Sequence, residues 1–169
     1  MEQPVFYYDI GSPWCWLAGE RVHAALGVVP AWQPVLGPRE HVDRAALERA
    51  AERQGLPAVR WPDPFPFDSE LVTRAATFAK QTGRAVAFSL AAMRQAFLAG
   101  RDLSDEDAVL IAAAACELHP RAVLKGIGTT SVRDAVLEAP ALGIERLPAI
   151  RAGAGELFQG PDAPERAAA

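Results

Sequence analysis

Residues 5–17 read Val-Phe-Tyr-Tyr-Asp-Ile-Gly-Ser-Pro-Trp-Cys-Trp-Leu, and no other stretch constrains the fold as tightly. Val5, Phe6, Tyr7 and Tyr8 are β-branched or aromatic, the composition of a buried strand. Asp9-Ile10-Gly11 is a short exit from it. Ser12-Pro13 has the chemistry of a helix start: a serine hydroxyl to accept from an early amide, and a proline where no amide hydrogen is missed. Trp14-Cys15-Trp16-Leu17 carries the chain into that helix. A strand running straight into a helix N-terminus concentrates partial positive charge at one point, which suits hydroxyl, thiolate or anion chemistry.

The helix extends over residues 14–26, with Leu17, Val22 and Leu26 on an apolar side and Glu20 and Arg21 toward water, and Gly27 stops it. Residues 28–36 form a second strand, which Pro30 and Pro34 place near a sheet edge or make irregular. Strand, helix, strand in this order is a βαβ unit, with a parallel pair and a right-handed crossover. From Gly37 the pattern becomes helical, over 41–55, 69–82, 85–99, 104–118, 120–126 and 129–139. The end returns to β chemistry: a strand at 147–152 opened by proline, a turn at 153–155, a strand at 156–159, then a last helix from Gly160-Pro161-Asp162 to Ala169.

With 169 residues, half of them apolar and 22% charged, the chain is expected to form one α/β domain. Residues 1–40 and 141–169 supply its sheet, and 41–140 form an all-helical insertion without a Ser/Gly linker on either side. A net charge of −4 gives no basic footprint for nucleic acid, and no apolar run approaches the roughly 20 residues of a membrane helix. The opening Met-Glu-Gln-Pro is not signal-like, and two cysteines make no disulfide framework, so a cytoplasmic setting is expected. His23, His41 and His119 are scattered and show no metal-ligand spacing. A small molecule is the expected partner.

Several residues admit two readings. Ser12 is either a helix cap alone or a cap that also touches substrate. Cys15 is a small hydrophobe on the first turn or a thiol whose pKa the helix terminus lowers. Asp9, at the strand's end, either caps the turn or sits beneath the site as a buried acid. Trp14 and Trp16 lie two apart and point different ways, one into the core and one toward a pocket mouth. The loop 56–69 carries Trp61, Phe65 and Phe67 among prolines; it is a packed irregular segment, one wall of a pocket, or both. Arg146 either meets an anionic substrate or faces solvent. Cys116, in the apolar run 111–116, reads as a buried inert thiol.

Three motifs together carry a resemblance: Tyr8-Asp9-Ile10-Gly11-Ser12-Pro13, Gly143-Ile144-Glu145-Arg146-Leu147-Pro148, and Leu157-Phe158-Gln159-Gly160-Pro161-Asp162. In order and separation the chain resembles the thioredoxin-like fold (βαβ…ββα with a helical insertion) in its disulfide-oxidoreductase A form. It is most similar to the 2-hydroxychromene-2-carboxylate isomerases and kappa-class glutathione transferases. The resemblance implies that Ser12 hydrogen-bonds a glutathione thiolate. It implies that Leu147, before a cis Pro148, pairs its backbone with the cysteinyl part, and that Asp162 holds the γ-glutamyl ammonium. Gly160 belongs to that last motif and counts with the glutathione-contacting positions. Trp14, Trp61 and Phe65 would supply the apolar half of the substrate pocket. Two positions depart from the family pattern: Pro161 stands where relatives have a polar residue for the glutamyl carboxylate, and the isomerases' Asn has no counterpart in Phe65-Pro66-Phe67-Asp68.

The expected activity is a glutathione-dependent isomerase or transferase, using glutathione or another low-molecular-weight thiol on a small hydrophobic or aromatic electrophile. Ser-Pro-Trp-Cys also resembles the Cys-Pro-Trp-Cys of oxidoreductases with its attacking cysteine replaced. The alternatives are therefore a thiol-disulfide oxidoreductase using Cys15, or a non-catalytic thioredoxin-like binding module. The short final helix and the family habit together predict a homodimer.

Overall fold

The opening strand, Val5–Tyr8 (β1), lies at the centre of a five-stranded sheet in the computed structural model, which describes residues 2–169. Its alternation is that of a strand facing a core, with Phe6 and Tyr8 fully buried. Phe6 and Tyr8 both pack against Trp32 at centroid distances of 4.9 and 5.1 Å, in edge-to-face or tilted geometry. Tyr8 Oη lies 2.6 Å from Ser89 Oγ in a buried hydrogen bond, and burial holds the Tyr8 phenol well above its usual pKa.

Helix α1 (Pro13–Leu26) begins as the Ser-Pro pair dictates: Ser12 Oγ accepts from the Cys15 N–H at 3.3 Å. It ends at Gly27, whose φ of 65° is the left-handed cap only glycine adopts without strain. Strand β2 (Ala31–Leu36) pairs parallel with β1, from Val5 against Ala31 to Tyr8 against Pro34. The strand starts later than its sequence suggests, because Val28 and Val29 belong to the turn after Gly27 and are 51% and 61% exposed. Its far side is paired only at Val35 and Leu36, by the two-residue strand β3 (Leu137–Glu138). Pro34 therefore lies just outside that ladder, where a missing N–H costs nothing.

Six helices fill the insertion: α2 (Arg44–Arg53), α3 (Glu70–Gln81), α4 (Ala85–Phe97), α5 (Glu106–Ala115), α6 (Pro120–Ile127) and α7 (Thr130–Ala135). Four of them start at side-chain caps, on Asp43, Asp105, His119 and Thr129. Two corrections fall at the end of this region. The helix expected over 129–139 stops at Ala135, and β3 and a 3-10 turn at Ala139–Leu142 follow it. The stretch assigned wholly to the helical insertion therefore also contributes to the sheet.

Strands β4 (Ala149–Arg151) and β5 (Leu157–Gln159) form the expected hairpin, and β4 runs antiparallel to β1. Helix α8 (Ala163–Ala168) packs on α1, tied there by the Arg21–Glu165 ion pair at 2.7 Å. The strand order is β3-β2-β1-β4-β5, and α3 and α4 lie against β2. Among the described residues no helix is long and apolar enough to cross a membrane.

The loop between α2 and α3 is anchored by Phe97, at the end of α4 and fully buried. Trp61, Phe65 and Phe67 surround that ring at 6.1–6.5 Å, and Phe97 O accepts from the Arg60 N–H. Trp16 stacks on another part of the same ring at 5.8 Å. One phenylalanine thus joins α1, α4 and the Pro-rich loop. Burying each ring of this size contributes roughly 1.5–3 kcal/mol.

Candidate functional site

A cavity of about 250 Å3 opens where α1 begins. Its floor and near wall are Asp9, Gly11, Ser12, Pro13 and Trp14; Leu36–Glu40 and Leu147 form a second side, and Phe65–Glu70 a third. Four segments far apart in sequence therefore meet at the Ser12 end of the helix. Half-buried Ser12 donates its own N–H to Asp9 O at 3.0 Å and accepts from the Cys15 N–H with its hydroxyl oxygen. The hydroxyl hydrogen has two acceptors within its rotation, the Cys15 sulfur and any acceptor seated in the cavity.

Asp9 combines both roles its position allows. It is 8% exposed; Oδ1 accepts from the Gly11 N–H and Oδ2 from the Gly37 N–H, each at 2.8 Å. The Ser69 hydroxyl, at the start of α3, bonds the same carboxyl. Burial pushes the Asp9 carboxyl above its usual range, the three hydrogen bonds oppose that shift, and Asp68 adds to it. This crowding favours Gly11: a Cβ there would stand 3.1 Å from Ser69 Cβ and 3.2 Å from Asp9 Oδ1, so one or the other would have to shift by a few tenths of an ångström. Gly37 lies directly beneath the Leu147 side chain.

Cys15 points the other way, fully buried in the core. Burial pushes its thiol up to about 12, with hydrogen bonds from Ser12 and Asp9 opposing and the charges of Asp9 and Glu40 assisting. This corrects the expectation of a thiol activated by the helix terminus: desolvation outweighs the dipole. Relative to a free cysteine, its thiolate fraction near neutral pH falls by about three decades. Native protein treated with iodoacetamide should therefore keep Cys15 unmodified while urea-unfolded protein is alkylated, as intact mass will show; rapid native labelling would contradict this placement. Cys116 is also buried, its sulfur donating to Ala112 O and Ala113 O, with its pKa raised by burial.

Trp14 and Trp16 divide as their spacing requires, Trp14 on the cavity wall and Trp16 in the core. Phe65 lines the cavity, joined by Phe67 from the same loop. Trp61 does not line it. Its ring packs behind Phe65 at 5.0 Å, its Nε1–H donates to Glu48, and Arg44 lies 4.9 Å above its face. His23 accepts from Trp32 Nε1–H, and His119 caps α6.

The Leu147–Pro148 peptide is cis, and among the described residues no hydrogen bond engages the Leu147 backbone. Gly160 N–H donates to Pro148 O at 2.9 Å, which ties the β5–α8 turn to that segment. Asp162 is not on the cavity wall. Its side chain is 67% exposed and lies 3.8 Å from Arg166. It flanks Gly160 instead: a Cβ on Gly160, whose φ is 102°, would stand 3.7 Å from Asp162 Oδ1 and 3.8 Å from the Arg146 guanidinium. An acid and a base thus face one notch beside Pro148. Among the described residues no three metal-capable side chains cluster.

A βαβ unit, a helical insertion and a ββα ending, with a cis-Pro segment facing the first helix's N-terminus, define a thioredoxin-like α/β protein. Residues 5–164 match the family of DSBA-like thioredoxin domains, and the chain belongs to that family. Similar solved structures include a 2-hydroxychromene-2-carboxylate isomerase, at 16% identity and a TM-score of 0.78 over 94% of this chain and 89% of that one. A probable DsbA oxidoreductase from Streptomyces coelicolor is 22% identical, with a TM-score of 0.76 over 99% and 87%. The cytosolic disulfide reductase DsbM from Pseudomonas aeruginosa, with GSH, is 18% identical, with a TM-score of 0.68 over 97% and 96%. At these identities the likeness is one of fold. Among curated proteins none matches the chain in sequence.

Proposed function

We propose that the protein binds glutathione, or a closely related thiol, and adds its thiolate to a small hydrophobic or aromatic electrophile in isomerase or transferase chemistry. The observation that carries this reading is Ser12: a hydroxyl at the N-terminus of a 14-residue helix, lining a cavity, whose hydrogen can turn from the Cys15 sulfur to an acceptor there. A thiolate there receives a charge-assisted hydrogen bond and the helix dipole. The Leu147 backbone, which has no hydrogen bond among the described residues, would bond the cysteinyl peptide. The notch at Gly160 suits the γ-glutamyl zwitterion, Asp162 taking the ammonium and Arg146 the carboxylate. Arg146 would then supply what Pro161 does not. Trp14, Phe65 and Phe67 give the apolar wall for the electrophile. The DsbM relative's structure with GSH is in keeping with this assignment.

The rival reading, thiol-disulfide exchange through Cys15, requires a sulfur that reaches solvent, and this one is fully buried. Calorimetric titration with millimolar glutathione tests the proposal. Binding is expected, weakened several-fold in Arg146→Ala and Asp162→Asn and unchanged in Cys15→Ala. No heat of binding from the native protein would end the proposal as stated.

A further inference from the structure

The mechanism above leaves one buried titratable group of the cavity unused. Asp9 lies at its floor beside Ser12, and its two oxygens offer about four acceptor positions. Gly11 N–H, Gly37 N–H and the Ser69 hydroxyl occupy three, leaving one. The titratable and charged groups around it are Asp68 and Glu70 from the start of α3, Arg39 and Glu40 from the loop after β2, and the neutral Cys15 thiol from α1. Acids outnumber the single arginine.

In that setting a thiolate formed by releasing its proton to water would add a second negative charge beside an ionised carboxylate. A thiolate formed by passing the proton to Asp9 only moves one charge from oxygen to sulfur. The three hydrogen bonds hold Asp9 in place for the transfer and favour its ionised form, while burial makes it a stronger base than an exposed aspartate.

We propose that Asp9 is the general base of this site, accepting the proton of the thiol seated at Ser12. The S–H bond breaks, its proton goes to the free position on the Asp9 carboxylate, and the electron pair stays on sulfur, where the Ser12 O–H donates to it. The sulfur then forms its bond to the electrophile, and Asp9 returns the proton to the adduct or to its leaving group. This inference rests on the thiol-binding reading given above.

Calorimetry of glutathione binding at pH 7, in two buffers of different ionisation enthalpy, counts the protons released, and ultraviolet absorbance reports the thiolate. The native protein is expected to form thiolate without releasing a proton, whereas S-methylglutathione binds with neither signal. Asp9→Asn should lower the thiolate fraction at pH 7 by about 10²-fold, restore it only at higher pH with a proton released, and bind S-methylglutathione within about 2-fold of native. Thiolate accompanied by a released proton in the native protein, or an unchanged thiolate fraction in Asp9→Asn, would overturn the assignment. Should Asp9→Asn fail to fold, the native proton count decides alone. Failure of the native protein to bind either compound removes the thiol site itself, a result distinct from binding without proton retention.

Discussion

Replacement of Ser12 by alanine should lower the rate of glutathione addition to an aromatic electrophile by about 10²–10³-fold, the usual cost of one hydrogen-bond donor to a developing anion. The same substitution removes the cap of α1 and is expected to cost ~1 kcal/mol of stability. The two effects separate by a second substitution. Glycine is nearly as good a cap as serine, within a few tenths of a kcal/mol, yet has no hydroxyl. Ser12→Gly should therefore match Ser12→Ala in rate while matching the native protein in urea denaturation. Cys15→Ala, which leaves the cavity wall intact, should keep the native rate. A Ser12→Gly protein that retained the rate would reduce Ser12 to a helix cap and return the chemistry to some other group.

The local part of this site was legible in the sequence because its chemistry is local. A Ser-Pro pair after a β-branched, aromatic run specifies a strand, a turn and a capped helix within a dozen residues, and all three form there. The closing hairpin was legible for the same reason. What sequence alone left open depends on partners far along the chain. Asp9 is a clasp because Gly37 and Ser69 arrive from segments 28 and 60 residues away. Strand β3 is two residues long and exists only because β2 is there to pair with it, so no periodicity announces it. Trp61 and Phe65 have the same apolar character, and only the path of the proline-rich loop around Phe97 decides which one faces the cavity. For Cys15 two physical effects oppose each other, the helix terminus lowering its pKa and burial raising it. Their balance depends on a burial that sequence does not quantify.

Trp16→Ala should be the most destabilising of these substitutions, at about 3–5 kcal/mol, since it empties a large, fully buried site. Two contacts are lost together, and a third loses its support. The indole stacks on Phe97, its Nε1–H donates to Glu20 Oε1 at 3.1 Å, and Glu20 in turn holds Arg94 through two hydrogen bonds of 2.7 Å. Native proteins have a total stability of roughly 5–15 kcal/mol, so the variant should still fold without denaturant, with its urea midpoint well below the native value. Trp16→Phe keeps a ring against Phe97 and loses only the N–H contact and some volume; it should cost less than half as much. Phe97 also positions Phe65 and Phe67, so the same cavity in the core should loosen the aromatic wall of the site and weaken capture of an aromatic electrophile. Trp14→Ala is the contrasting case. That half-buried side chain lies on the cavity wall two residues away, so its loss should impair substrate capture while moving the urea midpoint far less. If Trp16→Ala costs less than ~1.5 kcal/mol, or if Trp14→Ala costs as much, the division of the two indoles between core and cavity is incorrect.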